Sequence, residues 1–235
     1  MKKSLQPIPP ALIMPRMLIA MVNSKGGVGK STLAVHFGVW LYECGYRVVL
    51  LDCDLQRSSS QWMAEAEPGV RIVVLHSEDE VIEQAPILQK EADIVLADGP
   101  AGLKELTRAL LLVCDLALVP CGPSVLDLRA ASEAIRVVKQ AQSIRGGTPE
   151  AKLLLNKVQP RYRLSRELQE TSTSLEIPAV SHAVGLRQAY ADAVGQGTVV
   201  WRMGGAAKAA AEELNALFLK LMPRRDFKVV HGGRR

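Results

Sequence analysis

Short, nearly continuous apolar runs alternate along this chain with longer stretches in which apolar residues recur every three or four positions. The short runs are rich in Val, Leu, Ile and Ala, as strands buried on both faces are. They cover residues 17–23, 46–53, 70–75, 92–98, 115–120 and 151–156. The longer stretches predict helices over residues 30–44, 57–66, 78–91, 103–113, 124–144 and 163–175, and over 206–222 before Pro223.

The alternation of strands and helices predicts an α/β fold: a doubly wound, mostly parallel sheet with helices on both faces. No internal repeat, linker or low-complexity tract interrupts residues 17–222, so we expect one domain there. Residues 1–16 are expected to form a flexible extension, because prolines interrupt the stretch after Lys2 and Lys3 and no signal-peptide core forms. Residues 223–235 form a basic tail. No apolar run reaches the roughly 18 residues of a spanning helix.

The cysteines and histidines show no metal-binding or disulfide spacing. Because no pair has the C-x-x-C pattern, we interpret the cysteines as reduced packing residues of a cytoplasmic protein. We expect structural roles for the scattered histidines. The residues in question are Cys44, Cys53, Cys114, Cys121, His36, His76, His182 and His231.

Polar residues follow several of the predicted strands at the point where each ends. The stretch 24–32 follows the first strand, Asp52 and Asp54 end the second, Asp98 ends the fourth, and Asn156 ends the last. In open parallel sheets, ligands bind beyond the carboxyl ends of the strands. We therefore expect these residues to meet at one rim of the sheet.

The glycine-rich turn SKGGVGKST, residues 24–32, predicts a phosphate-binding loop. Backbone N–H groups of Gly26, Gly27, Val28, Gly29 and Lys30 can converge on anionic oxygens, and the helix that begins at Lys30 adds its positive N-terminus. Lys30 can neutralise the β- and γ-phosphates, and the hydroxyl of Ser31, before Thr32, can reach Mg²⁺. The strict G-x-x-x-x-G-K-[ST] pattern fails, because Ser24 occupies the place of the first glycine.

The form K-G-G-V-G-K-S-T resembles the deviant Walker A motif of the ParA/MinD family of ATPases. The resemblance extends from about residue 17 to 222: LLDCDLQRSSSQW is similar to the D-x-D-P-Q segment, with Leu55 in place of proline, and IVLADGPAG to the Walker B strand. LLNKVQPR is similar to the nucleotide-base segment, and VGLRQAYADAVGQGTVV to a late stretch of ParA partition proteins. In length and in these late segments the chain is most similar to small plasmid-type ParA ATPases.

This resemblance implies roles for the rim residues. Lys25, expected to point outward, would cross a two-fold interface to the partner's phosphates in an ATP-dependent sandwich homodimer. Asp54 would orient the attacking water, while Asp52 and Asp98 would join Ser31 in supporting Mg²⁺. Asn156 would contact adenine. ATP is favoured over GTP because Gln159 stands where the guanine-reading N-K-x-D motif has its aspartate.

Three classes of ParA/MinD protein compete. A metabolic or iron–sulfur relative lacks support, since Cys121 alone makes a poor cluster ligand. A MinD-like protein bound to a membrane needs a terminal amphipathic helix that is free to leave the body. The stripe of Leu214, Leu217, Phe218 and Leu221 in the last predicted helix is more typical of a docked helix.

The third class, a positioning ATPase that binds non-specific DNA, is favoured by basic residues late in the chain and a net charge of +5. From charge alone, the alternative is that these basic residues form a solvated surface that binds no DNA. The candidates are Lys157, Arg161, Arg163, Arg166, Arg187, Arg202 and Lys208. The resemblance implies a nucleoid-associated protein of the cytoplasm whose weak ATPase is stimulated by a cargo-bound, ParB-like adaptor. The expected cargo is plasmid DNA; the alternative is a protein body such as a carboxysome or a chemoreceptor cluster.

Overall fold

A computed structural model describes residues 16–102, 105–159 and 175–222. Its six strands form one sheet in the order β3-β2-β4-β1-β5-β6, and every neighbouring pair is parallel. The predicted parallel α/β sheet is therefore confirmed. The strands are β1 Met17–Asn23, β2 Val48–Asp52, β3 Arg71–Val74, β4 Ile94–Ala101, β5 Leu116–Cys121 and β6 Glu150–Leu155.

Within the described ranges, helices follow five of these strands, and two more lie late in the chain. The helices are α1 Lys30–Glu43, α2 Ser58–Ala66, α3 Glu78–Glu91, α4 Glu105–Val113, α5 Val125–Ile144, α6 Gln188–Gly195 and α7 Lys208–Leu221. Six of them match predicted helices with ends shifted by at most two residues. The helix predicted over 163–175 falls, except for its last residue, outside the described residues.

Two apolar cores flank the sheet, because successive side chains of a strand point to opposite faces. In β1, Ile19 and Met21 pack with α1, α2 and α7 on one side, while Leu18, Ala20 and Val22 pack with α3, α4 and α5 on the other. The central strand is fully buried apart from its first residue. This explains why the strands appear in the sequence as continuous apolar runs.

The late part of the chain holds one helix that the hydrophobic pattern does not predict. The helix α6 has eight residues, of which only Ala193 is buried, so it carries no apolar stripe. The helix α7 does have the predicted stripe, and Leu214, Leu217, Phe218 and Leu221 are all buried in the core. The expectation of a docked final helix is confirmed. No helix in the described part of the chain is long and apolar enough to span a membrane.

Candidate active site

Parallel pairing brings the predicted polar residues to one rim of the sheet. Asp98 lies in register with Met21 of β1 on one side and with Asp52 of β2 on the other. Asn23, the last residue of β1, donates through its side-chain amide to Pro120 O of β5 at 2.7 Å, and its Oδ1 accepts the backbone N–H of Lys25. The loop that starts at Ser24 is thereby anchored to the ends of β1 and β5.

The glycine-rich loop turns through conformations that favour glycine. Gly27 and Gly29 have φ angles of 75° and 98°, in the left-handed region. At Gly29 a second constraint applies, because a Cβ there would lie 2.3 Å from Nδ2 of Asn156. Gly29 is also the residue before α1, so Asn156 approaches the loop directly at the start of the helix.

Lys30 begins α1 and is buried, with 6% of its surface exposed. Its ammonium donates to Lys25 O in the loop at 3.2 Å and to Asn23 O, at the end of β1, at 3.5 Å. Burial lowers the pKa of Lys30, whereas Asp98 and Asp54 act to raise it. A cation held by carbonyls inside a glycine-rich loop is well placed to meet phosphate oxygens.

Asp98 lies inside β4, which continues to Ala101 instead of ending at Asp98 as the sequence predicts. It is fully buried, and neither carboxylate oxygen has a hydrogen-bond partner among the described residues. The pKa of Asp98 is raised to about 7, chiefly by burial and also by the charge of Asp52, although the nearby hydroxyls of Ser31 and Ser59 and the charge of Lys30 act to lower it. An unpartnered buried polar group costs about 1–3 kcal/mol, and a charged one costs more. A carboxylate left in this way beside Lys30 and Ser31 suits a hydrated cation.

Asp52 and Asp54 have hydrogen-bond partners, unlike Asp98. Asp52 is buried, and its two oxygens accept the backbone N–H groups of Asp54 at 3.0 Å and Ser60 at 2.8 Å. Asp52 therefore fixes the segment that carries Asp54. This structural role is separate from any role of Asp52 at a metal site. Asp54 in turn accepts the N–H of Gln56 at 2.9 Å, so this turn closes without the missing proline. Leu55 at its tip is 77% exposed.

The position of Lys25 differs from the expectation of an outward-pointing side chain. Its ammonium lies 2.6 Å from Oδ1 of Asp127 in the first turn of α5, and the side chain is 41% exposed. Asp127 also takes part in a capping box with Ser124, so its carboxylate is fixed at the helix start. An ammonium this close to a helix N-terminus needs a carboxylate, because the helix end itself carries positive charge.

Asn156 and Lys157 lie against the phosphate loop. Nδ2 of Asn156 donates to Val28 O at 2.8 Å, and Nζ of Lys157 donates to Gly27 O at 2.6 Å. Asn156 thus fixes the loop through the amide group that was expected to contact adenine. Lys157 was expected among the DNA-binding residues instead. Its backbone has a positive φ of 57°, and its side chain lies against the loop. The sequence carries no signal for this contact, which joins residues 130 positions apart.

Most of the described DNA candidates have partners within the chain. Arg187 is paired with Glu213, and Arg202 with Glu43, Glu67 and the carbonyl of Ala66. Lys208 is the most exposed of them, with a weak pair to Glu212 at 3.8 Å. Arg161, Arg163 and Arg166 lie outside the described residues.

Comparison with known proteins agrees with this geometry. Residues 19–200 match the model of the CobQ/CobB/MinD/ParA nucleotide-binding domain. The chain belongs to this family. It is 31% identical over 209 residues to "Maintenance of carboxysome distribution protein A" of Halothiobacillus neapolitanus, covering 87% of this chain and 96% of that one. It is 30% identical over 127 residues to "Protein ParA" of Rhizobium radiobacter, covering 53% and 57%.

Among solved structures, the ATP complex of a Cyanothece McdA variant superposes with a TM-score of 0.72 at 12% identity, over 87% of this chain and 96% of that chain. At this identity the match shows the fold alone, and it agrees with the six-stranded parallel sheet. The chain is thus a ParA/MinD-type ATPase of the deviant Walker A kind. No group of three or more His, Cys, Asp or Glu side chains in the described ranges could hold a metal by itself. Mg²⁺ is typically held by one or two carboxylates together with the phosphates of the bound nucleotide.

Proposed function

We propose that this protein is a positioning ATPase, in which bound ATP drives formation of a homodimer that binds DNA without sequence preference. A cargo-bound adaptor protein would then stimulate hydrolysis of ATP to ADP and phosphate and release the dimer. The observation that carries the proposal is the buried ammonium of Lys30 inside the glycine-rich loop, beside the unpartnered carboxylate of Asp98. This combination of donor and acceptor suits a phosphate chain and its cation.

Different residues of the chain have different roles at this site. Backbone N–H groups of residues 26–30 and the start of α1 bind the phosphates, while Lys30 neutralises their charge. Ser31 and Asp98 would hold Mg²⁺, directly or through its waters, and Asp52 would support them. When bound, Mg²⁺ offsets the charge that develops on the transferred phosphoryl group. Asp54, on the segment that Asp52 fixes, would orient the attacking water.

Lys25 is the residue that would make hydrolysis depend on the dimer. A cation supplied by the partner subunit stabilises the transferred phosphoryl group as an arginine finger does. The side chain is 41% exposed, which allows such a movement, but it must first leave Asp127. ATP binding would then favour the dimer because the phosphates offer Lys25 a stronger anionic partner.

The favoured cargo is a protein body. The relative aligned over nearly its whole length is named for carboxysome distribution, whereas the match to a ParA covers 57% of that protein. Plasmid DNA, the cargo expected from the sequence, is the second candidate. A MinD-like role at a membrane is less favoured, because the apolar stripe of α7 is buried.

The proposal is tested by measuring ATP turnover and DNA binding on the same preparations. Wild type should hydrolyse ATP slowly and bind duplex DNA of any sequence only with ATP. Lys30→Ala should lose nucleotide binding, and Asp54→Ala should bind ATP and DNA but fail to turn over. Nucleotide affinity of Lys30→Ala within about threefold of wild type would overturn the phosphate site. If the ATP-bound protein ignored DNA at low salt but sedimented with anionic liposomes, the MinD-like role would replace the DNA-binding one.

A further inference from the structure

Three serines open the helix α2, and only the middle one is wholly buried. Ser58 is exposed, and the hydroxyl of Ser60 donates to Arg57 O at 3.0 Å. Ser59 has no exposed surface, and its Oγ has no hydrogen-bond partner among the residues the structure describes. A buried hydroxyl without a partner is unusual, and in a native protein it calls for an explanation.

The hydroxyl of Ser59 lies beside the other unpartnered group of this region, the carboxylate of Asp98. The Ser59 hydroxyl is near enough to lower the pKa of Asp98, as the hydroxyl of Ser31 does. The backbone explains the approach: the N–H of Ser60 donates to Asp52, and Asp52 lies in register with Asp98 on the neighbouring strand. The first turn of α2 is thereby held at the end of β2, beside Asp98 of β4.

We propose that Ser59 is a further positioning residue of the cation site, which orients the carboxylate of Asp98 and joins it to the segment that carries Asp54. The inference rests on the proposed function, because it takes Mg²⁺ as the cation. With the cation bound, the hydroxyl donates a hydrogen bond to Asp98 directly or through a water of the cation. Hydrogen bonds of this kind to a ligating carboxylate strengthen metal binding.

The contacts of this segment also connect binding of the cation with the position of Asp54. Ser59 and Asp54 belong to the same short segment, which Asp52 fixes at both ends through the N–H groups of Asp54 and Ser60. When a cation positions Asp98, a hydrogen bond from Ser59 to that carboxylate would stabilise this segment. The position of the water-orienting residue would then depend on the cation.

The test is the affinity for Mn²⁺, measured by electron paramagnetic resonance in the presence of a non-hydrolysable ATP analogue. Ser59→Ala should weaken Mn²⁺ binding about tenfold, with Ser59→Cys between it and wild type. The matched control Ser58→Ala, one residue away and exposed, should bind Mn²⁺ as wild type does. The affinity of Ser59→Ala for the analogue without a divalent cation should not change.

Thermal unfolding without ligands separates this role from simple packing. If Ser59 serves the cation, its removal deletes an unpartnered buried hydroxyl, and the midpoint should equal or exceed that of wild type. A clearly lower midpoint of the ligand-free Ser59→Ala, or Mn²⁺ affinity within about twofold of wild type, would overturn the inference. If wild type itself bound no Mn²⁺ with the analogue, the proposed function would fail instead.

Discussion

The ammonium of Lys25 lies 2.6 Å from Oδ1 of Asp127, a residue 102 positions further along the chain. The contact ties the start of the phosphate loop to the first turn of α5. Ser24 strengthens the connection by donating to Ala130 O of the same helix at 3.2 Å. The residue proposed to cross the dimer interface is therefore held within its own subunit.

Replacing Asp127 with asparagine should favour the ATP-bound dimer. The substitution removes the negative partner of Lys25 but keeps a side-chain oxygen for the cap at the start of α5. A half-exposed ion pair contributes at most about 1 kcal/mol, so each freed lysine should tighten the dimer roughly fivefold. Dimer affinity is measured by sedimentation in a non-hydrolysable ATP analogue. A dimer that is weakened, with α5 still folded by circular dichroism, would show that Asp127 assists Lys25 instead of restraining it.

Lys157→Met should weaken nucleotide binding, because it removes the donor that fixes the Gly27 carbonyl. The expected loss is about 1 kcal/mol, or roughly fivefold in affinity, measured with a fluorescent ATP analogue. The matched control is Lys152→Met on β6, whose ammonium pairs with Glu150 at 3.1 Å, away from the loop. Equal effects of the two substitutions would show that Lys157 has no specific part in the site.

The parts of this site that could be predicted are those fixed by strand ends. Asp52, Asp54, Asp98 and the glycine loop each follow an apolar run, and parallel pairing must bring such positions together. The contacts of Lys25 and Lys157 could not be predicted in this way. Each depends on a side chain or carbonyl more than 100 positions away, and neither lysine differs locally from a solvated one.

The candidate DNA-binding residues show a second limit of sequence analysis. Counting Lys and Arg after residue 156 predicted a phosphate-binding surface, but charge counts do not reveal pairing. Glu43 and Glu67, which precede Arg202 by more than 130 positions, both contact its guanidinium. The helix α6 was not predicted for a related reason, since one buried residue in eight leaves no periodic pattern.

Lys208→Glu and Arg202→Glu should therefore have different effects. Lys208 is exposed, so its reversal should leave the melting temperature unchanged, weaken DNA binding and flatten the salt dependence by about 0.9 per lost phosphate contact. Arg202→Glu places a third carboxylate beside Glu43 and Glu67 and should lower the free energy of unfolding by about 1–2 kcal/mol. Lys220→Glu, at the other end of α7, is the control for charge. If it weakens DNA binding as much as Lys208→Glu, only net charge matters.

His36 should make the protein sensitive to acid. It is buried, its Nε2 accepts the N–H of Val200 at 3.3 Å, and its Nδ1 therefore carries the proton and donates to Thr32 O at 2.8 Å. Burial lowers the pKa of His36 from 6.5 to about 4. The unfolded chain binds a proton near pH 6.5 and the folded chain does not, so this contribution is present above pH 6.5 and is lost as the pH falls.

The size of the effect follows from these pKa values. Between pH 7.5 and 5.5, wild type should lose about 1.4 kcal/mol of unfolding free energy relative to His36→Gln, measured by urea denaturation without nucleotide. Asp98 contributes to the pH dependence of both proteins, so its contribution cancels in this comparison. A difference between the two that does not vary with pH would show that His36 titrates normally in the folded state.

The most direct test of an ATP-dependent dimer built on Lys25 is sedimentation velocity. Wild type and Lys25→Ala are each measured with Mg²⁺ and either ADP or a non-hydrolysable ATP analogue. We predict that wild type is a monomer with ADP and a dimer with the analogue, because only a γ-phosphate gives Lys25 a partner across the interface. Lys25→Ala should bind the analogue and remain a monomer. A wild type that stays monomeric with bound analogue, or a Lys25→Ala dimer of normal affinity, would show that Lys25 does not couple ATP binding to dimerisation.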